Sequence, residues 1–334
     1  MMWIYIGFIA FVITMLMIDL YVVNRKSKVI PMSIALVWTG VVVLMSLSFS
    51  AVIYVMYDEN VAGLGLDSEG VPIPSAGHTA LLQFLQGWVL EYSLSVDNLF
   101  VFALVFGHFR VPLAYQHRVL AWGIIGAVIL RGLMIAIGAA LVSRFEWVIY
   151  VFGAILIWTA LKMLLTGEKE LDPEKTFVVR TARQLLPVSE QYDRDRFFTR
   201  LPTGKMALTP LFLVLLVVEM TDIVFAVDSI PAIFLVTTDP FIVFTSNVFA
   251  ILGLRSLYFA LAGMIDKFRF LKISLAFILL FIGGKMLAEH FVHVPAGVSL
   301  AVIVSALAVG VFTSLRFPAR PSGPPDPELQ QAED

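Results

Sequence analysis

Five carboxylates stand where a carboxylate is costly. Glu91 and Asp97 in "EYSLSVDNLF", and Glu219, Asp222 and Asp228 in "EMTDIVFAVDSIP", interrupt long apolar runs. An acid at the centre of a membrane helix costs about 2.5–3.5 kcal/mol on insertion scales, so such groups face a partner or a cavity. With the Asn98 amide, the Ser229 hydroxyl and any backbone carbonyl freed nearby, they make a set of hard oxygen donors. That set suits Mg²⁺, Ca²⁺ or Mn²⁺ rather than Cu(I) or thiolate-bound Zn²⁺. The chain has no Cys, which removes thiolate ligands, disulfides and Cys nucleophiles together.

Spacing constrains how the acids can meet. Glu219 and Asp222, three apart, share a helical face, whereas the six-residue step from Glu91 to Asp97, repeated from Asp222 to Asp228, turns the second acid about 120° from the first. Two arrangements resolve this: a helix interrupted at the motif, or a shared site to which each stretch gives one Asp. Pro231, three residues after Asp228, favours interruption, with Ser95, Asn98 and Ser229 available to satisfy freed backbone groups. Four bases also lie within apolar segments, Arg131, Lys162, Arg255 and Lys285, and are the candidates to balance the acids. Five acids against four bases leave one negative charge, and the excess is three if Lys162 and Lys285, near their helix ends, reach water instead. Ion pairs with the two arginines account for two acids and leave three, so a cation or protons must complete the balance. Burial favours the neutral carboxyl, which makes exchange of protons for metal at these oxygens an expectation.

The elements that must position these residues are membrane helices. The chain is 59% hydrophobic and only 14% charged, against about a quarter charged in a soluble domain. Its net charge of −2 gives no basis for nucleic-acid binding. Nine segments approach the roughly 20 apolar residues needed to cross a ~30 Å hydrocarbon core: 3–23, 34–56, 79–107, 118–142, 146–166, 207–237, 241–263, 270–289 and 296–315. The expected fold is all-α and polytopic. It divides into two N-terminal helices (1–60), a unit at 79–166, a linker at 167–206, a unit at 207–290, a last helix at 296–316 and a disordered tail at 317–334.

The two units are copies. Aligning "SVDN" at 95–98 with "AVDS" at 226–229 superimposes Glu91 on Asp222 and Asp97 on Asp228. The match continues through "AVILRG" and "AILGLRS" around Arg131 and Arg255, then "ALKML" and "GGKML" around Lys162 and Lys285. Arg to Lys is 31 residues in one copy and 30 in the other. Three helices per copy is odd, so the copies run through the membrane in opposite senses, an inverted repeat of the kind that places transporter sites near the midplane. Charge agrees: of 23 Lys and Arg, eighteen fall after segments 1, 3, 5, 7 and 9, and the opposite connections hold only Arg144. The positive-inside rule therefore puts the N-terminus outside and the C-terminus and the 167–206 linker in the cytoplasm. Lesser features read as ordinary: His290 and His293 in "EHFVH" as an interfacial turn, Asp19 as an interfacial acid, and "GLGLD" at 63–67 as an outer loop. No nucleophile or redox pair accompanies the carboxylates, so neither an enzyme nor a prosthetic group is expected.

At these residues the chain resembles the TerC family of integral membrane proteins, through "EYSLSVDNLFVF", "VVEMTDIVFAVDSIPAIF", "LRG" and "GLRSLY" across roughly 79–290. The family includes the Alx-type manganese exporters and is associated by name with tellurium resistance. The resemblance implies export of Mn²⁺ across a bacterial inner membrane, with Glu91, Asp97, Asn98, Glu219, Asp222, Asp228 and Ser229 as the metal-binding positions. A reading of another class is a non-transporting membrane subunit of a tellurite- or stress-resistance complex, recruiting proteins through 167–206.

Overall fold

The computed structural model describes residues 2–22, 32–67, 70–145, 147–165, 176–189, 191–201, 204–261, 270–288 and 294–317. Among them are ten α-helices: α1 (Met2–Val22), α2 (Met32–Asp58), α3 (Ala76–His108), α4 (Leu113–Arg144), α5 (Trp147–Leu165), α6 (Phe177–Leu185), α7 (Pro210–Phe234), α8 (Pro240–Leu261), α9 (Leu271–Leu287) and α10 (Ala296–Arg316). All but α6 fall on the nine apolar segments. Six, α2, α4, α5, α7, α8 and α10, are long and apolar enough to cross a membrane, and α1 carries a shorter apolar stretch, Met2–Ile18. The 17 residues of α9 are few for a span. α3 interrupts its apolar sequence with Gln83, Gln86, Glu91, Asp97 and Asn98.

Neither α3 nor α7 is interrupted. α3 runs 33 residues straight through the first acidic motif, and α7 continues past Pro231 to Phe234. Pro231 stands three residues from the end of α7, where the backbone bond it removes is among the last the helix could make. The interrupted helix expected from the spacing of the acids is therefore not how the chain resolves that spacing.

The long helices pack in a recurring pattern. α3 lies on α8, α4 on α7 and α5 on α9, while α3 also meets α7 and α4 meets α8. Exchanging α3 with α7, α4 with α8 and α5 with α9 maps this set of contacts onto itself. α8 is the central helix, since 83% of its apolar window is buried against 22–39% in the other five spans. One apolar core, around Leu99, Phe106, Val119, Val214 and Leu254, joins α3, α4, α7 and α8. A second, rich in Phe8, Phe84 and Phe249, seats α1 and α2 on α3 and α8.

The linker departs from the all-α expectation. After α6 the chain forms a small antiparallel hairpin, β1 (Phe198–Arg200) with β2 (Met206–Leu208), in the register Phe198↔Leu208 and Arg200↔Met206. Its connection turns at Gly204, whose φ of +78° is a left-handed value that glycine adopts without strain. The hairpin is fastened to the helices. Tyr192 donates to the Phe109 carbonyl at 2.7 Å, and Arg118 pairs with Asp195 at 2.5 Å. The tail at 318–334, the "EHFVH" histidines and the Asp19 side chain lie outside the described residues.

Candidate functional site

Arg131, mid-way along α4, is one of the largest fully buried side chains, at 1% exposure. A guanidinium there needs partners on every edge, and three other helices supply them. Its Nε and Nη2 donate to Asp222 Oδ2 and Oδ1 at 3.1 and 2.7 Å, a two-pronged grip on α7 that the planar fork permits and a lysine could not reproduce. Nη1 pairs with Glu91 on α3 and donates to Asn247 Oδ1 on α8 at 3.5 Å. Asn247 Nδ2 in turn donates to Glu91 Oε2 at 3.1 Å, closing the ring. Four helices thus meet at one buried cation shared by two carboxylates, and the group carries a net −1 when both are ionised.

Beside this centre is a small cavity, with about 20 Å³ of space for the centre of a water-sized sphere. One water needs roughly 10–15 Å³ by that measure, so the space admits a single water-sized occupant. Glu219, Asp222 and Arg255 line it together with Gly123, Ala127 and apolar walls. The Glu219 carboxylate occupies the space left by Gly126, where a Cβ would overlap it. Its Oε2 is buried with no hydrogen-bond partner among the described residues.

The other expected positions divide into three groups. Asn98 and Ser229 are buried, and Asn98 Oδ1, Ser229 Oγ and the neighbouring Ser95 Oγ have no hydrogen-bond partner among the described residues. Glu91, Ser95 and Asn98 follow one another at i, i+4 and i+7, as Asp222 and Ser229 do at i and i+7, so each set lines one face of its helix. Asp97 and Asp228 belong to α3 and α7, but their side chains lie outside the described residues. The two lysines stand near helix ends. Lys162 is exposed near the end of α5, and Lys285 donates to Ser299 Oγ at 3.1 Å, joining α9 to α10. Of the arginines, Arg131 holds two acids and Arg255 borders the cavity.

Among the described residues no three His, Asp or Glu side chains converge as a metal would require. Glu91 and Asp222 are both engaged by Arg131, which leaves Glu219 as the described acid facing open space. Asn247 was not among the expected site residues. Its signal was the polar triplet Thr245, Ser246, Asn247 inside an otherwise apolar span, where the first two bond back to their own helix and the third reaches across.

A model of the integral membrane protein TerC family matches residues 76–322. The chain is 47% identical over 309 residues to the uncharacterized membrane protein STKORF319 of Myxococcus xanthus, covering 92% of this chain and 91% of that one. It is 46% identical over 304 residues to Alx of Escherichia coli K12, named as a candidate membrane-bound redox modulator, with 91% of each covered. An uncharacterized membrane protein of Rickettsia bellii is 37% identical over 312 residues, 93% of this chain and 96% of its own. No solved structure matches.

Proposed function

This chain belongs to the TerC family of integral membrane proteins, and from that membership and its buried acids we propose that it exports a divalent metal cation, Mn²⁺ being the best suited, from the cytoplasm of a bacterium. The observation that carries the proposal is the charge count in the helix core. Glu91, Asp97, Glu219, Asp222 and Asp228 belong to α3 and α7, while Arg131 and Arg255 are the buried cations opposite them and Lys162 is turned to the surface. Of these acids Glu219 and Asp222 line the small cavity, and carboxylates that outnumber the buried arginines suit a hard cation that is held and then released. Protons on the same carboxylates are the natural counter-charge when the ion leaves, which makes H⁺ the proposed coupling ion.

The exchangeable packing of α3, α4 and α5 with α7, α8 and α9 supports the reading of two inverted repeats, with the ion path between them. The basic connections support an outside N-terminus and a cytoplasmic C-terminus in the inner membrane. A redox role would not run through thiol–disulfide exchange on this chain, which has no Cys.

The test is flux in proteoliposomes. Purified protein should carry Mn²⁺ faster than Ca²⁺ or Mg²⁺, and a pH gradient should change the rate. Asp97→Asn and Asp228→Asn should each lower Mn²⁺ flux at least about tenfold, the effect of losing about 1.4 kcal/mol of binding or barrier stabilisation, and should raise cellular manganese under manganese loading. Unchanged flux in both variants, each stably inserted, would sink the assignment.

A further inference from the structure

The linker module shows the bundle a buried side and shows its surroundings a mixed apolar and basic one. On α6, Val179 and Ala182 are buried in the core that includes Leu211 and Val214 of α7. Away from them Phe177 is 77% and Leu185 76% exposed, with Arg180 and Arg183 exposed on the other flank of Phe177 from Leu185. In the hairpin, Met206 and Phe198 are also exposed, and the register sets Arg200 beside Met206. Large apolar side chains on one flank of an exposed arc and arginines on the other suit a helix lying in a membrane interface, apolar bodies inward and charged heads at phosphate level.

Placement and charge say what covers this face. Tyr192 is bonded to Phe109 just after α3 ends, Asp195 to Arg118 in the second turn of α4, and Thr209 immediately precedes α7. The module therefore sits where α3 ends and the apolar helices α4 and α7 begin, which by their length and hydropathy is the boundary between hydrocarbon and water. From Thr176 to Thr209 the chain has six bases and three acids. Asp195 is occupied by Arg118, and Asp193 accepts from Thr199 at 2.8 Å. The segment is thus net positive by sequence, with exposed apolar residues beside exposed arginines, and the complementary surface within reach is the negative headgroup layer of the same bilayer.

We propose that the outer face of α6 and the adjoining hairpin bind anionic phospholipid headgroups, with Phe177 and Leu185 set at headgroup depth and Arg180 and Arg183 on the phosphates. This does not depend on which ion the bundle carries, or on whether it carries one. Lacking Cys, the chain can take a single nitroxide label at Phe177→Cys or Leu185→Cys without background. The full-length labelled protein is reconstituted in phosphatidylcholine alone or with phosphatidylglycerol, and collision of the label with oxygen and with a water-soluble nickel chelate is compared.

With phosphatidylglycerol both labels should become severalfold less accessible to nickel while remaining open to oxygen. Arg180→Gln with Arg183→Gln should return them to the phosphatidylcholine pattern, with an unchanged elution profile to show that the fold is kept. Gln184→Glu on the same exposed face should act in the same direction. Equal nickel access in both membranes would overturn the proposal. So would insertion indifferent to phosphatidylglycerol, or shielding from both reagents, which would mean a protein partner.

Discussion

Arg131 on α4 holds two carboxylates at once, Glu91 from α3 and Asp222 from α7, whereas Arg255, at the matching place on α8, borders a cavity with Glu219 and Asp222. The sequences around the two arginines are alike, so the difference comes from what stands around them. Eight residues before Arg255 is Asn247, which bonds to both Arg131 and Glu91. Eight residues before Arg131 is Gly123, which lines the cavity. One side of the centre is filled and cross-linked, and the other is hollow. Two similar stretches thus surround their arginines differently, with Asn247 in one where Gly123 stands in the other, and Glu219 in one where Trp88 stands in the other.

Removing the shared cation is the harshest way to break this comparison. Arg131→Leu strands Glu91 and Asp222 as buried carboxylates and should cost about 3–5 kcal/mol, seen as lost membrane yield and a lower unfolding temperature in detergent. Asn247→Ala deletes hydrogen bonds to two charged groups and should cost about 1.5–3 kcal/mol by the same melting measurement.

Glycines sharpen the contrast on the hollow side. Gly126→Ala drives a methyl into the Glu219 carboxylate and should cost about 1–3 kcal/mol of overpacking. At Gly123 the added Cβ would meet Val218 Cγ1 at 3.4 Å, ordinary contact, so Gly123→Ala should not destabilise, the helix gaining up to about 1 kcal/mol from the better helix former.

The smallest effect calibrates the buried centre against a pair in water. Burial alone raises the Asp195 carboxyl, but the hydrogen bond and charge of Arg118 outweigh it and hold it below the usual carboxylate value. A value depressed in the folded state contributes stability that is complete at neutral pH and is lost as pH falls through that depressed value. With both side chains 35% exposed, Asp195→Asn should cost only about 0.2–1 kcal/mol, and it should remove this acid-side step from the pH profile of stability.

Much of the architecture was legible because a bilayer enforces length and hydropathy, so apolar runs from 3–23 to 296–315 coincide with helices. The acids were legible for the same reason, being conspicuous where water is absent. Their partners were not. The six-residue step from Glu91 to Asp97 suggested an interrupted helix, but facing is decided between helices, and Arg131 and Asn247 reach the first acid of each stretch from α4 and α8. The linker hairpin was hidden by its size, since strands of three residues around a Gly turn carry almost no periodicity. Lys162 and Lys285 looked like repeats of the arginines, yet their places near helix ends let one reach the surface and the other a serine.

The depth of Arg131 also decides how the molecule responds to ionic strength. Mobile ions weaken charges they can approach, and at 1 M salt the screening length is about 3 Å. The Arg118–Asp195 pair, open on one side, is within their reach. Glu91, Arg131 and Asp222, at 0%, 1% and 3% exposure, are not. Rising salt therefore loosens the linker module from the ends of α3 and α4 while the four-helix centre keeps its grip.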